Sequence, residues 1–275
     1  MTLTLIFSLG SMGFASADST VMPQYQWTDD DGFVWTYYIN ADNKATIVAT
    51  TMTSGDVVIP AAVMHEGVST DVTAINDPTS SQSIFGTTSA GAANTTVTSV
   101  TVPAGVTAIG DEAFMNCSAL TSVTLPYGVE SLGIAVFYKC SSLTSITLPG
   151  SISSIDFNTF IFTGIDSMSD ITYGNRPGYT WGEWNEAPDG SGDELTTLIL
   201  ATKNAYALWT PNTYTVTLNP RGGTVDPENQ NYVFDTAYSD LPVPVYPGRE
   251  FLGWNTAADG SGTAINTASI VKIPN

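Results

Sequence analysis

The side chains that most often perform catalysis are scarce in this sequence, which contains one histidine and two cysteines among 275 residues. A Ser-His-Asp relay would have to use His65 as its base. No G-x-S-x-G turn, which would expose a nucleophilic serine, lies near His65. The same scarcity argues against a zinc centre with histidine ligands. The sequence therefore predicts a protein that is not an enzyme.

The two cysteines, Cys117 and Cys140, are 23 residues apart. Two interpretations stay open for them. As packed thiols they would behave as small apolar side chains in a core. As a disulfide they would need Cα atoms roughly 5 Å apart and an oxidising compartment. A catalytic cysteine would need a nearby base, and the sequence shows none.

Carboxylates are abundant, and three clusters of them could suggest Ca²⁺. These are Asp29-Asp30-Asp31-Gly32 and the Asp-Gly-Ser-Gly segments at 189–192 and 259–262. None has the ligand spacing of an EF-hand loop, and turn chemistry accounts for Asp-Gly without a metal. No motif positions a pair of carboxylates for glycoside hydrolysis. We expect no metal and no cofactor, and the sequence names no ligand-binding residue.

Tryptophans are concentrated in the C-terminal part, at Trp181, Trp184, Trp209 and Trp254. Exposed tryptophans can stack on sugars. However, Trp184 and Trp254 occupy the same position of a repeated segment, and so do Trp181 and Phe251. Recurrence at one position is typical of core residues, so we expect these rings to pack inside the fold.

The net charge of −19 comes from 7 basic and 26 acidic residues. A polyanion cannot neutralise nucleic-acid phosphates, and anionic membrane surfaces repel it. After the N-terminal stretch, no segment reaches the roughly 18 consecutive apolar residues of a membrane-spanning helix. We therefore expect no nucleic-acid binding, no membrane insertion and a monomeric chain.

The N-terminus has the pattern of a secretory leader. Residues 3–14 are mostly apolar, and Ala15-Ser16-Ala17 has the form of a cleavage site. The pattern predicts removal of residues 1–17 and a mature chain that begins at Asp18, secreted or held at the cell surface. It departs from a standard leader because no Lys or Arg precedes the apolar stretch. The alternative is a buried N-terminal strand.

A repeat of 23 residues organises the middle of the chain. Its three copies align without a gap and read TSVTVPAGVTAIGDEAFMNCSAL at 98–120, TSVTLPYGVESLGIAVFYKCSSL at 121–143 and TSITLPGSISSIDFNTFIFTGID at 144–166. The matching positions hold Pro103, Pro126 and Pro149, then Ile109, Leu132 and Ile155, then Phe114, Phe137 and Phe160.

One copy of the repeat cannot bury its own apolar side chains. Val100 and Val102 alternate with Thr, which predicts a short strand with one apolar face. Proline ends that strand, and Gly105 permits the turn. We expect Asp111 to cap a brief helical turn that carries Phe114 inward. Stacked copies would bury one continuous column of Phe, Ile and Val.

The motif I-x-L-P-x-x-V-x-x-I-x-x-x-A-F-x-x-C-x-x-L resembles the leucine-rich repeats of BspA-like surface proteins, over roughly residues 33–166. The resemblance implies a leucine-rich-repeat solenoid, with a small buried residue at each Cys position. Residues 18–97 are then the N-terminal cap and a degenerate first repeat, with a loop at about 76–83. The resemblance also implies adhesion or contact with a host or matrix.

A second repeat covers the C-terminal part. RPGYTWGEWNEAPDGSG at 176–192 matches YPGREFLGWNTAADGSG at 246–262, a spacing of 70 residues. These segments, with the intervening 214–244, resemble the Listeria–Bacteroides repeat, the internalin-B B-repeat type. That resemblance implies a small β-grasp-like module, closed in the first copy by Tyr206-Ala207-Leu208-Trp209. The second copy has no matching closing segment, so we expect the chain to be a fragment of a longer protein.

These observations predict a mostly β fold with short helical turns, in which a leucine-rich-repeat solenoid precedes small β-grasp-like modules. The predicted divisions are a signal peptide at 1–17, the cap and degenerate repeat at 18–97, the solenoid at 98–166, a partial Listeria–Bacteroides-type repeat at 167–212 and a second one at 213–275, incomplete at its C-terminus. The expected function is binding of an extracellular protein or glycan through the solenoid faces. The alternative is a structural spacer in a cell envelope.

Overall fold

The structure is a computed structural model of the chain, and it describes residues 5–6, 22–76, 82–196 and 204–272. The predicted leader, residues 1–17, lies outside the described residues apart from Leu5–Ile6, which pair with Tyr25 and Gln24. The predicted loop at about 76–83 also falls largely outside them.

Strands make up nearly all of the regular structure. They are β1 (Leu5–Ile6), β2 (Gln24–Thr28), β3 (Val34–Ile39), β4 (Ala45–Thr50), β5 (Gly55–Val58), β6 (Ala62–His65), β7 (Val68–Ile75), β8 (Val97–Thr101), β9 (Ala108–Ile109), β10 (Ser122–Thr124), β11 (Ser131–Leu132), β12 (Ile146–Leu148), β13 (Ser154–Asp156), β14 (Ile171–Tyr173), β15 (Tyr179–Asn185), β16 (Asn204–Pro211), β17 (Thr213–Thr217), β18 (Asn229–Val233), β19 (Trp254–Asn255) and β20 (Ala264–Ile265). Two 3-10 helices, Phe157–Phe160 and Met168–Asp170, are the only helices in the described part of the chain.

The N-terminal cap is an antiparallel meander that continues into the solenoid. Strands β2, β3 and β4 pair antiparallel, and β4 then pairs parallel with β7. Alternation in β3 buries Trp35 and Tyr37, and β4 buries Ile47 against them. From β7 the same sheet passes to β9 and β11 by parallel pairing. The cap therefore covers the open end of the solenoid with its own strands.

The 23-residue repeat forms successive coils of a parallel solenoid. Val123 of β10 pairs with Val100 of β8, one period earlier, and Val100 pairs with Val57 of β5 on its other side. The proline ends each strand as expected, and Gly105 adopts a φ of 103° in the turn that follows. Strands β12 and β14 of the following coils pair parallel in a separate two-stranded sheet.

A column of stacked phenylalanines fills the solenoid, which confirms the predicted fold class. The rings of Phe85, Phe114, Phe137 and Phe160 follow one another at centroid distances of 6.3, 5.7 and 5.7 Å. All four side chains are buried. The degenerate first repeat contributes Phe85 to the column despite its different length.

Asp111 acts differently from the prediction. Its carboxylate accepts a hydrogen bond from the backbone N–H of Ile134 in the next coil, at 2.7 Å, instead of capping a helical turn. The helical turn that does have an aspartate cap begins after Asp156, which accepts from the N–H of Asn158. Asp111 thus joins two neighbouring coils.

The chain divides into two compact units, residues 1–175 with 183–208, and residues 176–182 with 209–275. In the first unit, Ala205 of β16 pairs antiparallel with Ile155 of β13. Strand β16 also lies beside β15, so β13, β16 and β15 form one three-stranded sheet. The second unit contains two small hairpins, β17 with β18 and β19 with β20.

Candidate functional site

His65 packs between two tyrosines of the cap. Its Nδ1 lies 3.3 Å from the hydroxyl of Tyr37. The ring of Tyr25 packs edge-on against the imidazole ring at a centroid distance of 4.5 Å. Burial, together with the nearby Tyr25 and Glu66, raises the pKa of Tyr37 to about 12. His65 therefore packs against these two tyrosines, and neither contact activates a nucleophile.

Cys117 and Cys140 are both free thiols, and both are completely buried. The Sγ of Cys140 donates to the carbonyl oxygen of Phe114 at 3.2 Å, and the Sγ of Cys117 donates to the carbonyl oxygen of Met115 at 3.8 Å. Burial raises the pKa of Cys140 to about 12 and raises that of Cys117 as well. Since the thiolate is the reactive form of cysteine, these side chains are inert packing groups.

The acidic clusters form turns. The Oδ1 of Asp29 accepts from the backbone N–H groups of Asp31 and Phe33, and its Oδ2 accepts from the indole N–H of Trp35 at 2.8 Å. In each Asp-Gly-Ser-Gly segment the aspartate accepts from the N–H and the hydroxyl of the serine two residues later. Across 22–76, 82–196 and 204–272, no group of three or more potential ligands could hold a metal ion.

The C-terminal tryptophans differ in burial. Trp184 is buried against the ring of Tyr173 at 5.0 Å, which fits the expected core position. Trp254 is half-buried and donates its indole N–H to the carbonyl oxygen of Pro242. Trp181 is 37% exposed and meets the ring of Trp209 at 5.3 Å. Position in the repeat therefore predicts burial for Trp184 better than for Trp181.

Hydroxyl side chains line the outer face of the first strand column. Thr98 and Ser99 donate to the carboxylate of Asp56 at 3.0 and 2.7 Å. These two hydrogen bonds lower the pKa of Asp56. In the separate β12–β14 pair, the hydroxyls of Thr147 and Thr172 lie 2.9 Å apart. This face presents hydroxyl and carboxylate groups, with the exposed side chain of Val58 on the same strand as Asp56.

A different surface of the last coils is aromatic. Phe162 is 65% exposed, and its ring meets that of Tyr138 edge-on at 5.5 Å. The ammonium of Lys139 lies 5.3 Å from the centroid of the Tyr138 ring, within the range of a cation–π interaction. We call Tyr138, Lys139 and Phe162 the aromatic corner. It combines an apolar surface with one of the 7 basic side chains of an acidic protein.

The backbone of the aromatic corner is strained at Phe162. The repeat places Asn116, Lys139 and Phe162 at one position, and all three adopt a left-handed backbone with φ of 60°, 60° and 57°. Asparagine tolerates this conformation, whereas a bulky aromatic residue rarely adopts it. Phenylalanine at this position therefore lowers the stability of the fold, and its exposed ring gains little compensating burial in the core. Such outliers cluster at binding surfaces.

Sequence reasoning missed the aromatic corner, although the alignment of the three copies contained its signal. The position that Asn116 and Lys139 occupy in the first two copies is filled by Phe162 in the third. A change from polar to large and apolar, at a position whose backbone geometry the other copies share, marks an exposed aromatic side chain.

Two family models match the chain. Residues 90–176 match the BspA type leucine rich repeat region, in six copies, and residues 214–274 match the Listeria-Bacteroides repeat domain. The chain carries both repeat types. Both are typical of bacterial cell-surface proteins, and neither is known as an enzyme. The predicted resemblances are therefore confirmed over these two ranges.

Solved structures of bacterial leucine-rich-repeat proteins are also similar. A leucine-rich repeat protein from Bacteroides capillosus shares 28% identity over 51% of this chain and 94% of its own, with a TM-score of 0.41. A leucine rich cell surface protein from Faecalibacterium prausnitzii shares 26% identity over 58% of this chain and 44% of its own, with a TM-score of 0.40. None of the curated proteins compared matches the chain. Within the described part of the chain, neither 3-10 helix has the length or hydropathy of a membrane span.

Proposed function

We propose that this chain is an exported, non-enzymatic surface protein that binds an extracellular protein or glycan through the aromatic corner of its solenoid. The observation that carries the proposal is Phe162, an exposed aromatic ring on a strained backbone. Its ring packs edge-on against the ring of Tyr138, so the two rings form a preformed apolar surface. Exposed aromatic side chains that are already held in place lose little conformational entropy when a ligand binds.

Binding is tested with Phe162→Asn, which places at this position the residue that the first copy has there. We expect the variant to keep its melting temperature within about 4 °C, since a surface substitution changes stability by roughly 0.5 kcal/mol. We also expect it to lose at least about tenfold in affinity for the ligand, because a central aromatic contact contributes more than 1 kcal/mol. Pull-down of matrix proteins and a glycan array identify the ligand class, and titration then measures the affinity.

The matched control is Tyr127→Ser, which removes another exposed aromatic side chain from the same solenoid. We expect this variant to bind as the unmodified chain does. If the Phe162→Asn variant binds as tightly as the unmodified chain, the aromatic corner is not part of the binding surface.

A structural spacer is the second candidate function, and the hydroxyl-rich strand face favours it. Thr98, Ser99, Thr147 and Thr172 present small polar groups to solvent and engage one another or Asp56. A spacer needs no ligand. Absence of any retained protein or glycan in both assays would support this function over adhesion.

Export is tested at the N-terminus. We expect secretion to remove residues 1–17, because the apolar stretch and Ala15-Ser16-Ala17 fit a leader and its cleavage site. Mass spectrometry of the chain recovered from an exporting host should give Asp18 as the first residue. A secreted chain that still begins at Met1 would contradict the leader, and with it the proposed localisation.

A further inference from the structure

The turns that begin the two Listeria–Bacteroides-type segments contain an arginine and a tyrosine in reversed order. The first turn reads Arg-Pro-Gly-Tyr at 176–179, and the second reads Tyr-Pro-Gly-Arg at 246–249. In both, the N–H of the fourth residue donates to the carbonyl oxygen of the first, at 3.1 and 3.0 Å. The guanidinium lies over the tyrosine ring in both turns, 4.2 Å from the ring centroid in the first and 4.9 Å in the second. The turn therefore keeps the stacked pair, whichever order its members take.

Packing within the second compact unit holds the first turn in place. A Cβ added at Gly178 would lie 2.3 Å from the ring of Phe234, so this ring packs directly on the turn backbone. The carbonyl oxygen of Gly178 accepts from the N–H of Asn212 at 2.9 Å. The hydroxyl of Tyr179 donates to the carboxylate of Asp235 at 2.9 Å. These contacts fix the tyrosine ring on which the guanidinium lies.

The guanidinium of Arg176 lies over two rings and keeps its hydrogen-bond donors available. Besides Tyr179, it lies 5.7 Å from the centroid of the Trp209 ring. Over the ranges that the structure describes, no carboxylate pairs with this guanidinium and no oxygen accepts a hydrogen bond from it. A guanidinium held against aromatic rings presents a planar fork of N–H donors, which matches the two oxygens of a carboxylate.

An exposed indole extends this surface. Trp181 is 37% exposed, and its ring packs edge-on against the ring of Trp209 at a centroid distance of 5.3 Å. We call Arg176, Tyr179, Trp181 and Trp209 the arginine platform. Since Trp209 contacts both the guanidinium and the exposed indole, an anion-binding group and an aromatic surface lie within the span of a short oligosaccharide.

The charge of the second compact unit allows an anionic ligand to approach. Residues 176–182 and 209–275 carry four basic and six acidic side chains, a net charge of −2 out of the −19 of the whole chain. The acidity that opposes polyanion binding is therefore concentrated in the other unit. At physiological salt, charges farther than about 8 Å from a ligand are largely screened, so the local balance decides.

We propose that the arginine platform binds a uronic acid unit of an acidic polysaccharide, with the carboxylate on the guanidinium of Arg176 and a sugar ring on the indole of Trp181. A uronic acid joins a planar carboxylate to a ring with an apolar face. Neutral sugars lack the carboxylate, and the acidic side chains of peptides lack the ring. The platform lies in a different compact unit from the aromatic corner, so the two sites are independent.

The test measures binding of polygalacturonate, alginate and hyaluronan to the full chain by isothermal titration calorimetry. We expect at least one of these polyuronates to bind. Its methyl ester, which keeps the sugar rings and neutralises the carboxylates, should bind at least about tenfold more weakly, because hydrogen bonds to a charged acceptor are the stronger ones. Equal affinity for acid and ester, or no binding of any of the three, would overturn the proposal.

Arg176→Gln should lower the affinity at least about tenfold, since it removes the charged fork. Arg176→Lys keeps the charge without the planar fork and should recover only part of that loss. The matched control is Arg221→Gln, which removes the same charge from the same unit, where Arg221 donates to the carbonyl oxygen of Ala258. We expect the control to bind within about twofold of the unmodified chain. An equal loss in Arg176→Gln and Arg221→Gln would assign binding to overall charge and overturn the proposal.

Trp181→Ala leaves the residues of the turn in place, so it keeps the proposal testable if Arg176→Gln alters the fold. We expect this variant to lose about fivefold in affinity for the polyuronate, because it removes the exposed aromatic contact. Full affinity in Trp181→Ala would contradict the platform. Phe162→Asn should bind the polyuronate as the unmodified chain does, and a loss in that variant would place the ligand at the aromatic corner instead.

Discussion

Phe137→Ala should lower the free energy of unfolding of the solenoid by roughly 3–5 kcal/mol, the usual cost of truncating a fully buried phenylalanine. Phe137 has no exposed surface and is stacked between Phe114 and Phe160, with interplanar angles of 28° and 12°. Its removal opens a cavity with a ring on either side. Because each coil contacts only its neighbours, the loss of these contacts also uncouples the coils before Phe137 from the coils after Phe137.

Urea denaturation followed by far-UV circular dichroism measures this loss. Tyr127→Ala is the control, because Tyr127 lies in the same copy of the repeat and is mostly exposed. We expect the control to change the free energy of unfolding by no more than about 0.5 kcal/mol. A Phe137→Ala chain with the same denaturation midpoint as the control would show that the rings do not bear on solenoid stability.

Alkaline pH should destabilise the chain through its two buried thiols. Their folded-state pKa values are raised above the ordinary 9.0 by burial, that of Cys140 to about 12. The thiols of the unfolded chain therefore ionise first as pH rises, and the contribution of the buried thiols to stability is complete below pH 9 and lost between 9 and about 12. Between pH 8 and pH 10 we expect a loss of about 3 kcal/mol for the pair.

The matched variant for this measurement is Cys117→Ala with Cys140→Ala. It removes both thiols and keeps small apolar groups in the core. We expect its free energy of unfolding to change much less than that of the unmodified chain between pH 8 and pH 10. Parallel pH profiles for the two proteins would contradict burial of the thiols as the cause. A reducing agent in both samples keeps the unfolded thiols from oxidising.

The coils of the solenoid could be predicted from the sequence because their pattern recurs. A residue such as Phe137 has the same neighbours one period before and after, so its position in the repeat determines its surroundings. The same reasoning predicted buried positions for Cys117 and Cys140. It served less well for Trp181, because its surroundings depend on Trp209, which lies outside the repeated segment.

Prediction from sequence also misassigned the bond of Asp111. A capping aspartate and one that joins two coils have the same local sequence, since both precede a turn. The choice depends on the position of the Ile134 amide, 23 residues away in the chain and 2.7 Å away in space. Only the stacking of the coils brings that amide within reach.

The 23-residue period, the column of phenylalanines and the two repeat types could be predicted from the amino-acid sequence, because regular spacing and apolar alternation are properties of the chain alone. Which residues the repeat leaves exposed depends on the tertiary structure. It places Phe162 on the surface on a left-handed backbone, and it pairs β16 with β13 while residues 249–253 remain without a strand. The pairing of β16 with β13 joins segments that are distant in the sequence, and no local pattern encodes such a contact.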